Sequence, residues 1–244
     1  MTRWEATGWA VFLRYRGPLP GQPVARIMQF WDRAEPPADV ARAMAGWVHL
    51  GPVVRRFDAA HAGRFIARVA GADAARDFAA LWHPALQSDL FRLYWLLETG
   101  GAYIDADGLA QPGAAALLAQ AAGGGMVAAA MTRLPRAVAI NGVLVAPKVD
   151  PLIADWLAEA LRRIHDRPGG PIFWLTGPGC LTELLWARGS TSTGPVPLPL
   201  AALDQAFRQL DAGYKQTDAN WRVAEHRAGL SDAADIRRLF PQKT

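Results

Sequence analysis

The spacing of apolar positions changes along this chain, and each change marks an element. From Ser88 onward, Leu90, Leu93, Tyr94 and Leu97 recur at i, i+3, i+4 and i+7. That is one face of a helix, with Ser88 placed as its N-cap and Gly100-Gly101 as its stop. Tyr103-Ile104-Asp105 then reads as a short buried strand. Side chains alternate along an extended backbone, so Asp105 and Asp107 are expected to point the same way and to share one cation. Asp89 and Arg92 stand three apart and share a helix side.

The rest of the chain reads in the same manner. Residues 1–23 show no clear periodicity and carry Gly17, Pro18, Pro20, Gly21 and Pro23, which predicts a lead-in segment ahead of one domain over 24–244. Val24 to Phe30 is a predicted strand, followed by Trp31-Asp32 and a helix-start signal at Glu35-Pro36-Pro37-Ala38-Asp39. A helix over 38–48, a strand from Val53 to Phe57 and two short helices broken near Gly71 follow. Beyond Asp107 come a loop over 108–113, a short helix over 114–120 and Gly123-Gly124-Gly125, a linker that lacks the Lys-Ser/Thr of a phosphate-binding loop. Met126 to Met131 and Ile140 to Ala146 are predicted strands. The next helix carries Leu152, Ile153, Trp156, Leu157, Ala160, Leu161 and Ile164 on one broad face. Thr176-Gly177-Pro178-Gly179 precedes a helix over 181–187, residues 189–200 have the composition of a mobile loop, and Ser231 caps a final helix to Phe240. Strands alternating with helices give an α/β chain.

Composition excludes some functions. With 244 residues, 51% hydrophobic and 20% charged, the chain suits one domain with a sizeable core. Net charge is +4, yet no Lys/Arg run exceeds two residues, so a nucleic-acid surface is not expected. A modest positive excess suits an anionic nucleotide and the face of an anionic membrane equally. Cys180 is the one cysteine, no apolar run approaches a bilayer span, and Glu5, Arg14 and Arg16 interrupt the first residues. These features point to the cytoplasm, with peripheral contact at the inner membrane face left open. Most of the ten tryptophans are expected in the core, and His49, His61 and His83 lack ligand-like spacing.

The run S-D-x-x-R-x-x-x-L-x-x-x-G-G-x-Y-x-D-x-D, present as Ser88, Asp89, Arg92, Leu96, Gly100, Gly101, Tyr103, Asp105 and Asp107, resembles that of bacterial glycosyltransferases with a DxD-containing sugar-binding region. This is family 32 together with the related toxin glucosyltransferases. A lone DxD carries little information, whereas so many specified positions in one short run are specific. The resemblance continues at the strand ending Phe30-Trp31, where the family has Ile-Trp, at Asn141-Gly142 with Ala146-Pro147, and at Thr176-Gly177-Pro178 with Leu181-Thr182.

The resemblance implies a single-domain, GT-A-type, Rossmann-like α/β/α sandwich and transfer of a hexose from a nucleotide-diphosphate sugar, UDP-type, to a hydroxyl of a glycan, glycolipid or protein. Retention at the anomeric carbon and Mn2+ or Mg2+ as cofactor follow from the same likeness, and surface polysaccharide or glycolipid assembly is one setting for it. Asp107 would ligate the metal directly, and Asp105 would bind donor hydroxyls and the metal's water shell. Asp89 would accept from sugar hydroxyls, and Arg92 would pair with diphosphate or sugar, against a plain surface ion pair. Tyr103 would donate to a phosphate. Trp31 would lie against the base or serve the core, and Asn141 would approach the donor sugar or start a strand. Bare amides at Thr176-Gly177 would attract phosphate or form an ordinary cap. A further metal ligand is open between Asn220 and His226. The competing classes are a nucleotidyltransferase acting on a sugar phosphate and a catalytically silent sugar-nucleotide binder.

Overall fold

The computed structural model describes residues 9–14, 24–121, 127–131, 138–188, 196–199 and 204–230. Among them a seven-stranded sheet runs in the order β3-β2-β4-β7-β6-β1-β8. Its strands are β1 (Trp9–Arg14), β2 (Arg26–Phe30), β3 (Val53–Phe57), β4 (Gly101–Ile104), β6 (Val127–Met131), β7 (Val138–Ala146) and β8 (Val196–Pro199), while β5 (Gly108–Ala110) pairs with β9 (Phe207–Gln209) apart from them. β2 is parallel to both β3 and β4, and every pair from β4 through β7, β6 and β1 to β8 is antiparallel.

Alternation sorts the two faces. On β4 and β7, Tyr103, Leu144 and Ala146 face one core with Phe91, Trp95, Ile153 and Trp156, whereas Ala102, Ile104, Val143 and Val145 face a second with Trp47, Leu117 and Leu118. The first core is supplied by helices α2 (Ala59–Ala70), α4 (Pro84–Thr99), α6 (Pro151–Asp166) and α8 (Pro178–Arg188), and the second by α5 (Ala114–Ala121) and the turn after α1 (Ala38–Ala45). Helices on both faces of a mixed sheet make this an α/β fold in one domain.

Helix α4 is the centre of the first core, with Leu86, Leu90, Phe91, Leu93, Trp95 and Leu96 all buried. It begins at Pro84, earlier than the periodicity predicts. Proline at the first position has no amide to leave unsatisfied, and His83 caps the helix by accepting from the Ala85 amide at 3.0 Å. Ser88 is therefore inside the helix and not its cap. At the other end, Gly100 and Gly101 have φ of +64° and +111°, and a Cβ there would lie 2.6 Å from the Lys148 amide nitrogen and 2.6 Å from the Arg26 carbonyl oxygen. The glycine pair lets the chain turn tightly and slide β4 between β2 and β7.

Several expectations change. The segment read as a lead-in contributes β1, a strand paired on both sides, and the stretch read as a mobile loop contributes β8. The loop over 108–113 begins with β5. α1 ends at Ala45 and a separate 3-10 turn covers Val48–Leu50, while α8 starts at Pro178. Leu161 is 38% exposed, outside the buried face of α6. Two more short helices, α3 (Ala72–Ala79) and α7 (Ile172–Leu175), and α9 (Trp221–Arg227) complete the described elements named here. The glycine triplet at 123–125, residues 189–195 and the helix from Ser231 to Phe240 lie outside the described residues. No described helix is long and apolar enough to cross a membrane.

Candidate active site

The Ile104↔Val143 pair is the last of the β4–β7 ladder, and the Asp105 amide donates just beyond it to the Gly142 carbonyl at 2.8 Å. The Gly108 amide donates back to the Asp105 carbonyl at 2.9 Å, so the DxD stands on a tight turn between β4 and β5. Asp105 and Asp107 both line a cavity of about 1650 Å³, together with Trp31, Asp89, Arg92, Tyr103, Asn141, Tyr214, Lys215 and Asn220.

Asp89 and Arg92, both on α4, form a buried network. Asp89 Oδ1 accepts from Arg92 at 2.8 Å and from Asn141 Nδ2 at 2.9 Å, while Oδ2 accepts from Thr176 Oγ1 at 2.8 Å. Arg92 also donates to the Asn141 carbonyl at 2.6 Å and to the Ser88 carbonyl at 3.2 Å, and its guanidinium stacks 4.0 Å from the Tyr103 ring centroid. Both side chains are about 95% buried, which excludes the surface ion pair. Burial pushes the Asp89 carboxyl up, and Arg92, Thr176 and Asn141 oppose that push.

Tyr103 sits between this network and the DxD. Its hydroxyl donates to Asp105 Oδ1 at 2.5 Å and meets the Ser88 hydroxyl at 3.0 Å, and Ser88 also accepts from Arg92 at 3.1 Å. Burial holds the phenol protonated, well above the usual range, so it remains a donor. Asp105 is pushed up to about 6, first by burial, with Arg92 opposing and the Asp107 charge adding. Two carboxylates that repel one another on one cavity wall make an arrangement that a cation relieves.

Asp107 is held from the far end of the chain. Its Oδ2 accepts from Tyr214 at 2.8 Å and pairs with Lys215 Nζ at 2.8 Å, both on the 3-10 turn Gly213–Gln216. Burial raises the Tyr214 phenol, which therefore also stays a donor. Trp31 packs edge-on against Tyr214, with ring centroids 5.1 Å apart, and so holds a cavity position and a packing contact at once.

The remaining candidates divide. Asn141 lies at the cavity wall inside β7, which begins at Val138, two residues before the expected Ile140, so Asn141 is not a strand-entry turn. Thr176 and Gly177 do not line the cavity, and their amides are not bare, since both donate to the Ile172 carbonyl. Thr176 instead braces Asp89. Asn220 lines the cavity and caps α9, its Oδ1 accepting from the Arg222 amide at 3.1 Å and its Nδ2 donating to the Lys215 carbonyl at 2.7 Å. His226 is exposed and is not among the cavity-lining residues. Among the described residues no group of three or more His, Cys, Asp and Glu has the geometry to hold a metal.

Some participants escaped the sequence reading. Gly142 presents bare backbone to the site, where a Cβ would lie 2.7 Å from Asp105 Oδ2. Its signal was its place next to Asn141 in the same motif. Glu225 is 4% exposed and accepts the Ile172 amide at 2.5 Å, tying α9 to α7, and burial raises it to about 6. His83, read as a turn marker, donates through Nε2 to the Asp218 carbonyl at 3.0 Å, because its Nδ1 already accepts at the helix cap. The polar stretch 214–226 has the composition to close a site, but nothing local singles out Tyr214, Lys215 or Glu225 within it.

Residues 54–121 match the family model described as glycosyltransferase sugar-binding region containing DXD motif, and this span holds the whole run from Ser88 to Asp107. Trp31, Asn141 and Thr176 lie outside it. The solved structure of "PaToxG Glycosyltransferase" is similar at TM-score 0.46 and 15% sequence identity, over 90% of this chain and 85% of that one. No curated protein matches the chain.

Proposed function

We propose that this chain, which carries a DxD glycosyltransferase region over residues 54–121, transfers a hexose from a nucleotide-diphosphate sugar of UDP type to an acceptor hydroxyl, with a divalent cation and with retention. The observation that carries this reading is that Asp105 and Asp107 open on one cavity, each steadied by a protonated phenol. The pair suits a hard cation by donor type, and Asp105, raised to about 6 by burial, gains from neutralisation. A bound Mn2+ or Mg2+ supplies Lewis-acid stabilisation of the charge that grows on a departing diphosphate.

The chain's own residues do the rest. Asp107 is the direct ligand, and Asp105 divides its oxygens between Tyr103 and the cavity. Trp31 offers the base a platform, and Asn141, held by Asp89 and Arg92, orients the sugar. Arg92 takes part through that network, because its guanidinium is already engaged with Ser88, Asp89 and Asn141 and lies over Tyr103.

Retention comes from the family resemblance, and the commitments of the carboxylates bear on its route. A double displacement needs a nucleophilic carboxylate on the far face of the anomeric carbon. Asp89 is paired with Arg92, and Asp105 and Asp107 serve the cation, so attack comes from the front. The bond from the anomeric carbon to the phosphate oxygen breaks, the bond to the acceptor oxygen forms, and the acceptor's proton passes to the leaving phosphate.

Donor-screen products identified by mass spectrometry and NMR test this reading. Turnover is expected with Mn2+ or Mg2+, an α-linked product from an α donor, and no turnover for Asp107→Ala with an unchanged circular dichroism spectrum. Full activity in EDTA would remove the metal from the proposal, and release of pyrophosphate would make the protein a nucleotidyltransferase.

A further inference from the structure

One of the two DxD charges, that of Asp107, is already met by a cation of the protein itself. Lys215 Nζ lies 2.8 Å from Asp107 Oδ2 and also donates to the Leu210 carbonyl. The turn that carries it is fastened on both sides: the Leu210 amide donates to the Asp107 carbonyl at 2.7 Å, and Asn220 Nδ2 donates to the Lys215 carbonyl at 2.7 Å. The side chain itself is 20% exposed and lines the cavity, so its four-carbon stem has room to swing while its backbone stays. Arg92, by contrast, is enclosed by its partners and cannot turn toward a diphosphate.

A carboxylate oxygen that accepts from Tyr214 and pairs with an ammonium is poorly placed to receive a divalent cation as well. The cation would approach to roughly 2.0–2.6 Å and repel the ammonium at once. We propose that Lys215 is a built-in counter-ion of the DxD pair, which leaves Asp107 when a divalent cation binds and then meets the diphosphate of the donor. Its role toward the donor rests on the transferase reading; its competition with the cation does not. In the donor-free protein Lys215 keeps Asp107 neutralised and in place. In the loaded protein the released ammonium supplies the mobile positive charge that Arg92 does not.

The first test titrates Mn2+ alone into the full chain, with free Mn2+ read by electron paramagnetic resonance. Lys215→Met is expected to bind Mn2+ roughly fivefold tighter or more, on the scale of one partly screened ion pair. Lys215→Arg keeps the charge and is expected to stay as weak as the wild type. A merely structural lysine would not raise affinity on removal. Unchanged or weaker Mn2+ binding by Lys215→Met, or no binding by any of the three proteins, overturns the competition. The second test measures UDP binding at saturating Mn2+ by calorimetry, where Lys215→Met is expected to lose roughly tenfold. Undiminished UDP affinity overturns the role toward the diphosphate. Neither experiment contains a sugar donor, so both are independent of whether hexose transfer occurs.

Discussion

Asn141 Nδ2 donates to Asp89 Oδ1 at 2.9 Å across 52 residues of sequence, and the Asn141 carbonyl accepts from the Arg92 that pairs with the same carboxylate. The closed ring ties β7 to α4 beneath the DxD. Removing one member has unequal costs. Asn141→Ala leaves a neutral gap, so it is expected to cost about 1–3 kcal/mol of stability and to slow transfer without abolishing it. Asp89→Ala leaves the buried Arg92 guanidinium with only Asp105, at 3.7 Å, as a carboxylate partner and is expected to cost about 3–5 kcal/mol. Chemical denaturation of the two variants checks the order, and a larger loss for Asn141→Ala would contradict the network.

Trp31→Ala is expected to weaken nucleoside diphosphate binding by about 1–3 kcal/mol, the scale of one stacking platform. Calorimetry with Mn2+ present measures it. Unchanged affinity would leave Trp31 with its packing role against Tyr214 alone.

Gly142→Ala places a methyl 2.7 Å from Asp105 Oδ2, at a strand position whose carbonyl accepts from the Asp105 amide at 2.8 Å. The carboxylate must move. Turnover is expected to fall about a hundredfold, the cost of a displacement near 1 Å in a catalytic group, with the secondary structure retained. Wild-type turnover in this variant would show that the Asp105 position is not critical.

Glu225 provides a pH test away from the DxD. Its carboxyl is raised from 4.5 to about 6 by burial, opposed by the Ile172 amide, Arg222 and the Phe173 amide. A raised folded value means that the folded chain holds its proton where the unfolded chain has released it, so this stabilisation is complete below about 4.5 and is lost as pH rises through about 6. Glu225→Gln keeps an acceptor for the Ile172 amide but has no proton to release. It is expected to lack about 1–2 kcal/mol of the stability decline between pH 4.5 and 6 that the wild type shows. Parallel denaturation curves for the two proteins across that window would refute the assignment.

The helix-to-strand unit that ends in the DxD was legible because its information is local. Apolar spacing sets α4 and the glycine pair sets the turn into β4, whereas Asp105 and Asp107 follow the end of β4 on a tight turn, so the alternation expected of an extended strand is not what brings them to one cavity. The start of α4 was misjudged since Ser88 has the composition of a cap, yet Pro84 and His83 offer a better one and free the Ser88 hydroxyl for Tyr103 and Arg92. Strand β1 was missed for a different reason. Its partners β6 and β8 lie far along the chain, and strand pairing at that distance leaves no periodic mark near Trp9–Arg14.

By itself the sequence determined the residues of the DxD, the helix and strand that lead to them, and the charged pair within that helix, since each follows from spacing within a few turns of backbone. Tertiary structure alone decided what those groups touch. Tyr214 reaches Asp107 across 107 residues, Thr176 reaches Asp89 across 87, and Lys215 supplies the charge opposite Asp107. Packing of distant segments settles such contacts, because hydrogen bonds and ion pairs form between whichever groups the fold brings within about 3 Å, and no local pattern encodes that meeting.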